Sequence, residues 1–178
     1  MLTISVMTRA DVGFATGLAT GEEWGYLEED FRRLMHFEPE ECFVAWMDEE
    51  RVGIVTTTSY GDYAFLGSLI VRKTVRGRGI GEALLNHAIN HLTRRGVRTM
   101  ELDGVFPAAS QYMRLGFRDK YLSLRFEGQG GEQEDEALPY SPEMAENIVS
   151  FDGAKTGLSR ERIVKKLLEE FGDSVHVM

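Results

Sequence analysis

Leu69-Ile-Val-Arg-Lys-Thr-Val-Arg-Gly-Arg-Gly-Ile-Gly-Glu-Ala-Leu-Leu85 is the stretch whose reading decides the fold. It begins inside Phe65 to Val71, an apolar run with the composition of a buried strand. A basic, glycine-spaced turn comes next, Arg72 to Gly81. Then Ile80, Leu84, Ala88 and Leu92 recur every fourth position, the period of a helix with one apolar face. Gly77, Gly79 and Gly81 leave the backbone bare where strand becomes helix. The first amides of a helix have no carbonyl partner inside it, and its dipole favours negative charge there. Arg72, Lys73, Arg76 and Arg78 add positive field. The physical expectation is a seat for a diphosphate.

Two common diphosphate loops are excluded by spacing. A dinucleotide turn needs G-x-G-x-x-G, and from Gly77 the third glycine would fall on Glu82. A nucleoside-triphosphate loop needs Gly-Lys-Ser/Thr, and that triplet does not occur. What stands here is Arg76-x-x-Gly79-x-Gly81, with Tyr112-Met-Arg-Leu-Gly-Phe117 beyond a short strand, Thr99 to Leu102. The pair resembles the acyl-CoA pyrophosphate motif and the Tyr-x-x-x-Gly-Phe signature of the GNAT N-acetyltransferase superfamily.

That resemblance implies an α/β (α+β) GNAT fold: a mixed, mostly antiparallel sheet splayed at its central strands, with helices on both faces. It implies acetyl-CoA as the donor, seated on Arg76, Gly77, Arg78, Gly79, Ile80, Gly81 and Glu82. The pantetheine arm is expected along Leu69, Ile70 and Val71, with one amide there donating to the thioester carbonyl. A primary amine on a small molecule or protein would attack directly, so the protein's share is proximity and orientation. Tyr112 occupies the position of a tyrosine that protonates the leaving thiolate, or else packs beside it. Glu23 and Asp103 are the carboxylate candidates for base, though each reads first as a substrate-orienting or surface residue, and a water chain is the other route. Two positions depart from the pattern: Lys73 stands where a proline is common and Val105 where an asparagine is. A non-catalytic acyl-CoA sensor or interaction module on the same fold is the alternative.

Length and composition bound the rest. At 178 residues and 43% hydrophobic the chain can fill one ordinary core. Its single cysteine, Cys42, excludes an intrachain disulfide and reads as a small core residue. The N-terminus, Leu2-Thr-Ile-Ser-Val6, lacks the basic and apolar regions of a signal peptide, so a cytoplasmic protein with no membrane partner is expected. The net charge of −9 is uneven: residues 1–126 hold 17 acidic and 15 basic side chains, residues 127–178 hold 12 and 5. The acidity therefore lies in the tail, and no basic surface suggests nucleic acid.

Along the chain the pattern places an acetyltransferase domain at 1–126, an acidic glycine-rich linker at 127–141 and a helical extension at 142–178. Within the domain, Thr8 caps a first helix, Leu27 to Met35 marks a second, and Cys42–Met47 with Val52–Tyr60 forms a hairpin. Phe117 to Phe126 is expected to finish the sheet. Ser159 is expected to cap a last helix with Ile163, Val164, Leu167, Leu168 and Phe171 on one face. Such a face needs the domain body or another chain, so a homodimer through it is an expectation. Phe151 to Arg160 resembles the start of a second GNAT-like domain in tandem members. His87 and His91 have metal spacing, but no third ligand or H-E-x-x-H pattern accompanies them.

Overall fold

The computed structural model of the chain describes residues 1–124, 126–129 and 137–178. They divide into two compact units, Met1–Lys120 and Tyr121–Met178, a division six residues before the boundary expected at 126.

The first unit is built on a five-stranded sheet in sequence order. Its strands are β1 (Leu2–Val6), β2 (Cys42–Met47), β3 (Glu50–Tyr60), β4 (Tyr63–Val71) and β5 (Thr99–Leu102). The first four pair antiparallel. Tight reversals make this possible: Asp48 and Glu49 both take positive φ between β2 and β3, the geometry of a two-residue hairpin turn. β5 runs parallel to β4 after a crossover through helix α3 (Ile80–Arg94). One face of the sheet carries α3, whose Ile80, Leu84, Leu85, Ala88 and Leu92 are buried with Phe43, Val55 and Leu66. The four-residue apolar period thus has the consequence expected of it. The other face carries α1 (Val12–Gly21) and α2 (Glu28–Phe37), where Val12, Ala15, Ala19 and Phe31 close over Val44, Ile54 and Ile70. Cys42 is part of that core, and burial pushes its thiol up to about 12.

Polar ties fix the elements at two corners. The Thr8 amide and hydroxyl both donate to Asp11 Oδ2 at 2.7 Å, as the capping pattern foretold, and Arg51 Nε reaches the other oxygen at 2.6 Å from β3. Glu41, buried before β2, accepts from Ser59 Oγ at 2.6 Å, with Arg95 Nε at 3.0 Å. His87 and His91 lie edge-on to Phe43, with ring centroids at 4.7 and 5.2 Å, so both serve as aromatic packing.

Helix α4 (Ala109–Arg114) follows β5 through a short 3-10 turn. The expected last strand is a correction: among the described residues from 117 to 126 none is in a strand, and Leu122, Leu124 and Phe126 are exposed. Their alternation has the form of a strand, but a strand exists only by pairing, and no described segment pairs with them.

The second unit contains α5 (Ala145–Thr156), α6 (Glu161–Phe171) and a short ladder of β6 (Leu138–Pro139) with β7 (His176–Val177). Of the expected linker, residues 130–136, including the whole run Glu132–Glu136, lie outside the described residues, while β6 falls in its last part. α6 buries Ile163, Val164 and Leu168 and leaves Leu167 and Phe171 exposed. Its cap is Arg160 rather than Ser159, and the Arg160 guanidinium donates to Asp152 of α5 at 2.8 and 3.1 Å.

Candidate active site

The sheet opens where the sequence pattern places the seat. β4 and β5 pair from Tyr63 opposite Thr99 to Leu66 opposite Leu102, and there the ladder ends. From Gly67 to Val71, β4 keeps its β3 partner on one edge and, among the described residues, has no strand on the other. Leu69, Ile70 and Val71 therefore lie on an open edge of backbone donors and acceptors. Ile70 turns its side chain into the α1 core, and Leu69 and Val71 pack toward α3.

Beyond Val71 the chain makes a 3-10 turn, Lys73–Val75, and enters α3 through Gly77 (φ 76°) and Gly79 (φ 77°). A left-handed backbone at both positions is one that L side chains rarely adopt, which accounts for glycine there. The first amide paired across the helix start is Ala83 N to Gly79 O at 2.9 Å, so those of Ile80, Gly81 and Glu82 are left as donors. A Cβ on Gly77 or Gly79 would meet nothing within 4 Å, whereas one on Gly81 would stand 3.3 Å from Gln111 Nε2 of α4. Bare amides, an open approach and a helix dipole fit a diphosphate.

The cations are placed differently from expectation. Arg76 donates through Nε to Val71 O at 2.9 Å and through Nη2 to Glu22 Oε1 at 2.6 Å. Lys73 Nζ donates to Gly21 O at 2.7 Å and lies 3.5 Å from the same glutamate. Arg72 pairs with Glu50 at 3.2 Å. Of the four basic side chains only Arg78 has no acidic partner among the described residues. Glu22 is thus the missed residue of this corner; its hydrogen bond to Arg76 holds its carboxyl below the usual range, against slight desolvation. It sits in the α1–α2 loop beside Glu23, an exposed residue at φ 59°.

Tyr112 lies on α4, half-buried, its ring packed against the backbone of Gly104 and edge-on to Phe117 at 6.3 Å. Burial raises its phenol above the ordinary value, so it keeps its proton at neutral pH. Asp103 is exposed, one residue past the end of β5. Trp24 packs partly buried against the α1–α2 core, and Phe31 and Phe37 are buried core residues. A second missed residue is Ser68, buried at a bulge in β4. The one available signal was Gly67 breaking an apolar run, since glycine inside a strand marks bulges.

Comparison with known proteins gives this arrangement its context. A family model described as the acetyltransferase (GNAT) family matches residues 13–117. Holothin acyltransferase of Pseudoalteromonas sp. (strain SANK 73390) is 29% identical over 151 residues, which are 83% of this chain and 50% of that protein. An uncharacterized N-acetyltransferase of Methanocaldococcus jannaschii is 35% identical over 100 residues, 51% of this chain and 44% of that one. The chain spans about half the length of the curated relatives it matches. Among solved structures, a Pyrococcus horikoshii protein assigned as an acetyltransferase aligns at a TM-score of 0.75 with 21% identity, covering 95% of this chain and 62% of that one. The ribosomal-protein-S18-alanine N-acetyltransferase of Escherichia coli aligns at 0.62 with 26% identity, covering 68% and 80%. A mostly antiparallel sheet opened beside a glycine turn, and a family match across it, lead to one conclusion: the chain belongs to the GNAT acetyltransferase family.

Proposed function

We propose that the protein is an N-acetyltransferase that moves an acetyl group from acetyl-CoA to a primary amine within a ternary complex. The observation that carries this reading is the open β4 edge, Gly67 to Val71, running straight into the bare turn Gly77 to Gly81 with Tyr112 beyond the end of β5. When bound, acetyl-CoA supplies an activated acetyl thioester whose C–S bond is exchanged for a C–N bond to the amine.

The chain's own residues do the remaining work. The amides of Ile80, Gly81 and Glu82 hold the diphosphate, helped by Arg78 and by Arg76 once it leaves Glu22. The edge of Leu69 to Val71 orients the arm by main-chain hydrogen bonds, as an added strand would. Tyr112 presents a phenolic proton to the departing sulfur, and burial keeps that proton in place until it is needed. The attacking amine loses one proton as the C–N bond forms. Glu23 of the α1–α2 loop and Asp103 past the end of β5, both exposed, are the carboxylates we assign to receive it through water, with release directly to solvent as the other route.

The test is thiol release from acetyl-CoA across a panel of amines, with Tyr112→Phe as control. Amine-dependent release that falls by about 10²-fold in the variant supports the reading. Tight coenzyme A binding with no amine-dependent release would favour the sensor alternative instead.

A further inference from the structure

Phe65 lies at the centre of the sheet, on β4 between β3 and β5, yet among the described residues neither core includes it. Ala64 and Leu66 turn to the α3 side, so alternation turns Tyr63, Phe65 and Gly67 to the other. The α1–α2 core covers Ile54 and Ile70 on that face, while Tyr60, Tyr63 and Phe65 stay only partly buried beyond it. Tyr60 and Tyr63 stand opposite each other on β3 and β4, with ring centroids 6.0 Å apart. Aromatic rings left open in mid-sheet point to a binding face.

A carboxylate shares this face. Glu101 stands opposite Phe65 in the parallel ladder, and its neighbours Met100 and Leu102 pack toward α3, so Glu101 points the same way as Phe65. It accepts a hydrogen bond from Tyr63, and the Lys120 ammonium donates to its Oε1. The Glu101 side chain is 24% exposed and that of Lys120 64%, so the acid is set into the surface and the ammonium lies over it. The bond from Lys120, with a smaller one from Tyr63, holds the carboxyl below its ordinary value against desolvation. Aromatic rings beside an ionised carboxylate are surroundings that recognise an alkylammonium, and an alkylammonium of the chain itself is what they hold. The face also leads to the reacting edge. Gly67, two residues past Phe65, is the first residue of β4 beyond the β5 ladder, and a Cβ there would stand 3.8 Å from the Phe65 ring.

We propose that Glu101, Tyr63 and Phe65 form a specificity site for a second, non-reacting ammonium of the acceptor, a place that Lys120 fills while the acceptor is absent. The assignment rests on the N-acetyltransferase reading above and makes the acceptor a diamine or a longer polyamine. Two residues of strand separate Phe65 from the open edge, about 7 Å, a distance that an extended diamine of about four or five carbons spans. The held nitrogen keeps its proton and forms no covalent bond; the other end of the molecule makes the C–N bond. A largely exposed ion pair such as that of Lys120 is weak, so a substrate ammonium displaces it at little cost. A monoamine has only the reacting end and leaves Lys120 in place.

The experiment is calorimetric titration of 1,4-diaminobutane and of 1-aminobutane into wild type, Glu101→Gln and Lys120→Ala, each first saturated with coenzyme A. Wild type is expected to bind the diamine about fivefold or more tightly than the monoamine. Glu101→Gln is expected to bring the two amines within about twofold of each other. Lys120→Ala is expected to tighten the diamine by about two- to fivefold and to leave the monoamine unchanged. A merely structural ion pair would lower the melting temperature of both variants and leave the ratio of affinities as it is in wild type. Should Glu101→Gln fail to fold, Lys120→Ala carries the test, since it keeps the carboxylate and frees its face; diamine affinity unmoved there overturns the proposal. No preference for the diamine in wild type, or a preference that survives Glu101→Gln, overturns it too and leaves the acyltransferase reading standing. Wild type that takes up no coenzyme A overturns that reading, and with it the assignment of this site to an acceptor.

Discussion

Replacing Glu22 by alanine should tighten the binding of coenzyme A. The side chain lies 2.6 Å from Arg76 and 3.5 Å from Lys73, so it competes with any diphosphate for both cations. Two unit charges at 2.6 Å attract by about 1.6 kcal/mol at the dielectric constant of water. Arg76 is 45% and Glu22 22% exposed, and ordering two side chains in one geometry brings pairs of this kind to about 0.2–1 kcal/mol net. Releasing that amount to the ligand corresponds to a gain of up to about fivefold in affinity. Isothermal titration of wild type and Glu22→Ala reads it directly, at about 0.02 M and about 0.5 M salt, where screening should shrink the difference. Affinity that falls in the variant would mean that Glu22 aims Arg76 at the ligand instead of withholding it. An equal affinity at low salt would mean that the pair does not compete at all.

Gly104→Ala should impair turnover without unfolding the chain, because the new methyl would stand 2.9 and 3.0 Å from two ring carbons of Tyr112. A phenol displaced by even ~1 Å loses about 10²-fold in rate; wild-type turnover in a thiol-release assay would sink the role given to that ring. Gly53→Ala should destabilise by about 1–3 kcal/mol, since its Cβ would meet Ile70 O at 2.9 Å and Leu84 Cδ1 at 3.1 Å; an unmoved urea midpoint would contradict the packing. Asp11→Asn should cost about 2 kcal/mol at neutral pH. Burial opposes ionisation of this carboxyl, but bonds from Thr8 and Arg51 outweigh it and hold the group below its ordinary value. A depressed folded value means the stabilisation is complete above the unfolded value of about 3.9 and is lost as pH falls through the folded one. Denaturation midpoints of wild type and variant should therefore converge on acidification below about pH 4, and a gap unchanged at low pH would refute the sign.

The parts of the molecule written in local pattern were readable from the sequence. Ile80, Leu84, Ala88 and Leu92 announce α3 by their period, and Gly77 and Gly79 mark its entry, because both signals lie within a few residues of one another. Thr8 and Asp11 likewise declare a helix start three residues apart. The pair Arg76 and Glu22 was not readable, since 54 positions separate two residues that only the folded sheet brings together. The bounds of α5, inside the extension expected to be helical, were not readable for a different reason: Gly153 interrupts it and its apolar residues keep no helical period, so tertiary context decides where it runs. The alternation of Leu122, Leu124 and Phe126 failed in the opposite sense. It described a surface able to pair, and pairing depends on a neighbour that no single segment can specify.

A rail made of peptide groups has no amino-acid identity. Exchanging Leu69 or Val71 for another apolar residue alters what packs behind β4 but leaves every N–H and C=O along its free side where it was. Such a frame tolerates wide drift, which is consistent with a chain only 21% identical superposing at a TM-score of 0.75. In the loop between α1 and α2 the side chains themselves make the ties, Glu22 to Arg76 and Trp24 to the α1–α2 core, so an exchange there is felt at once.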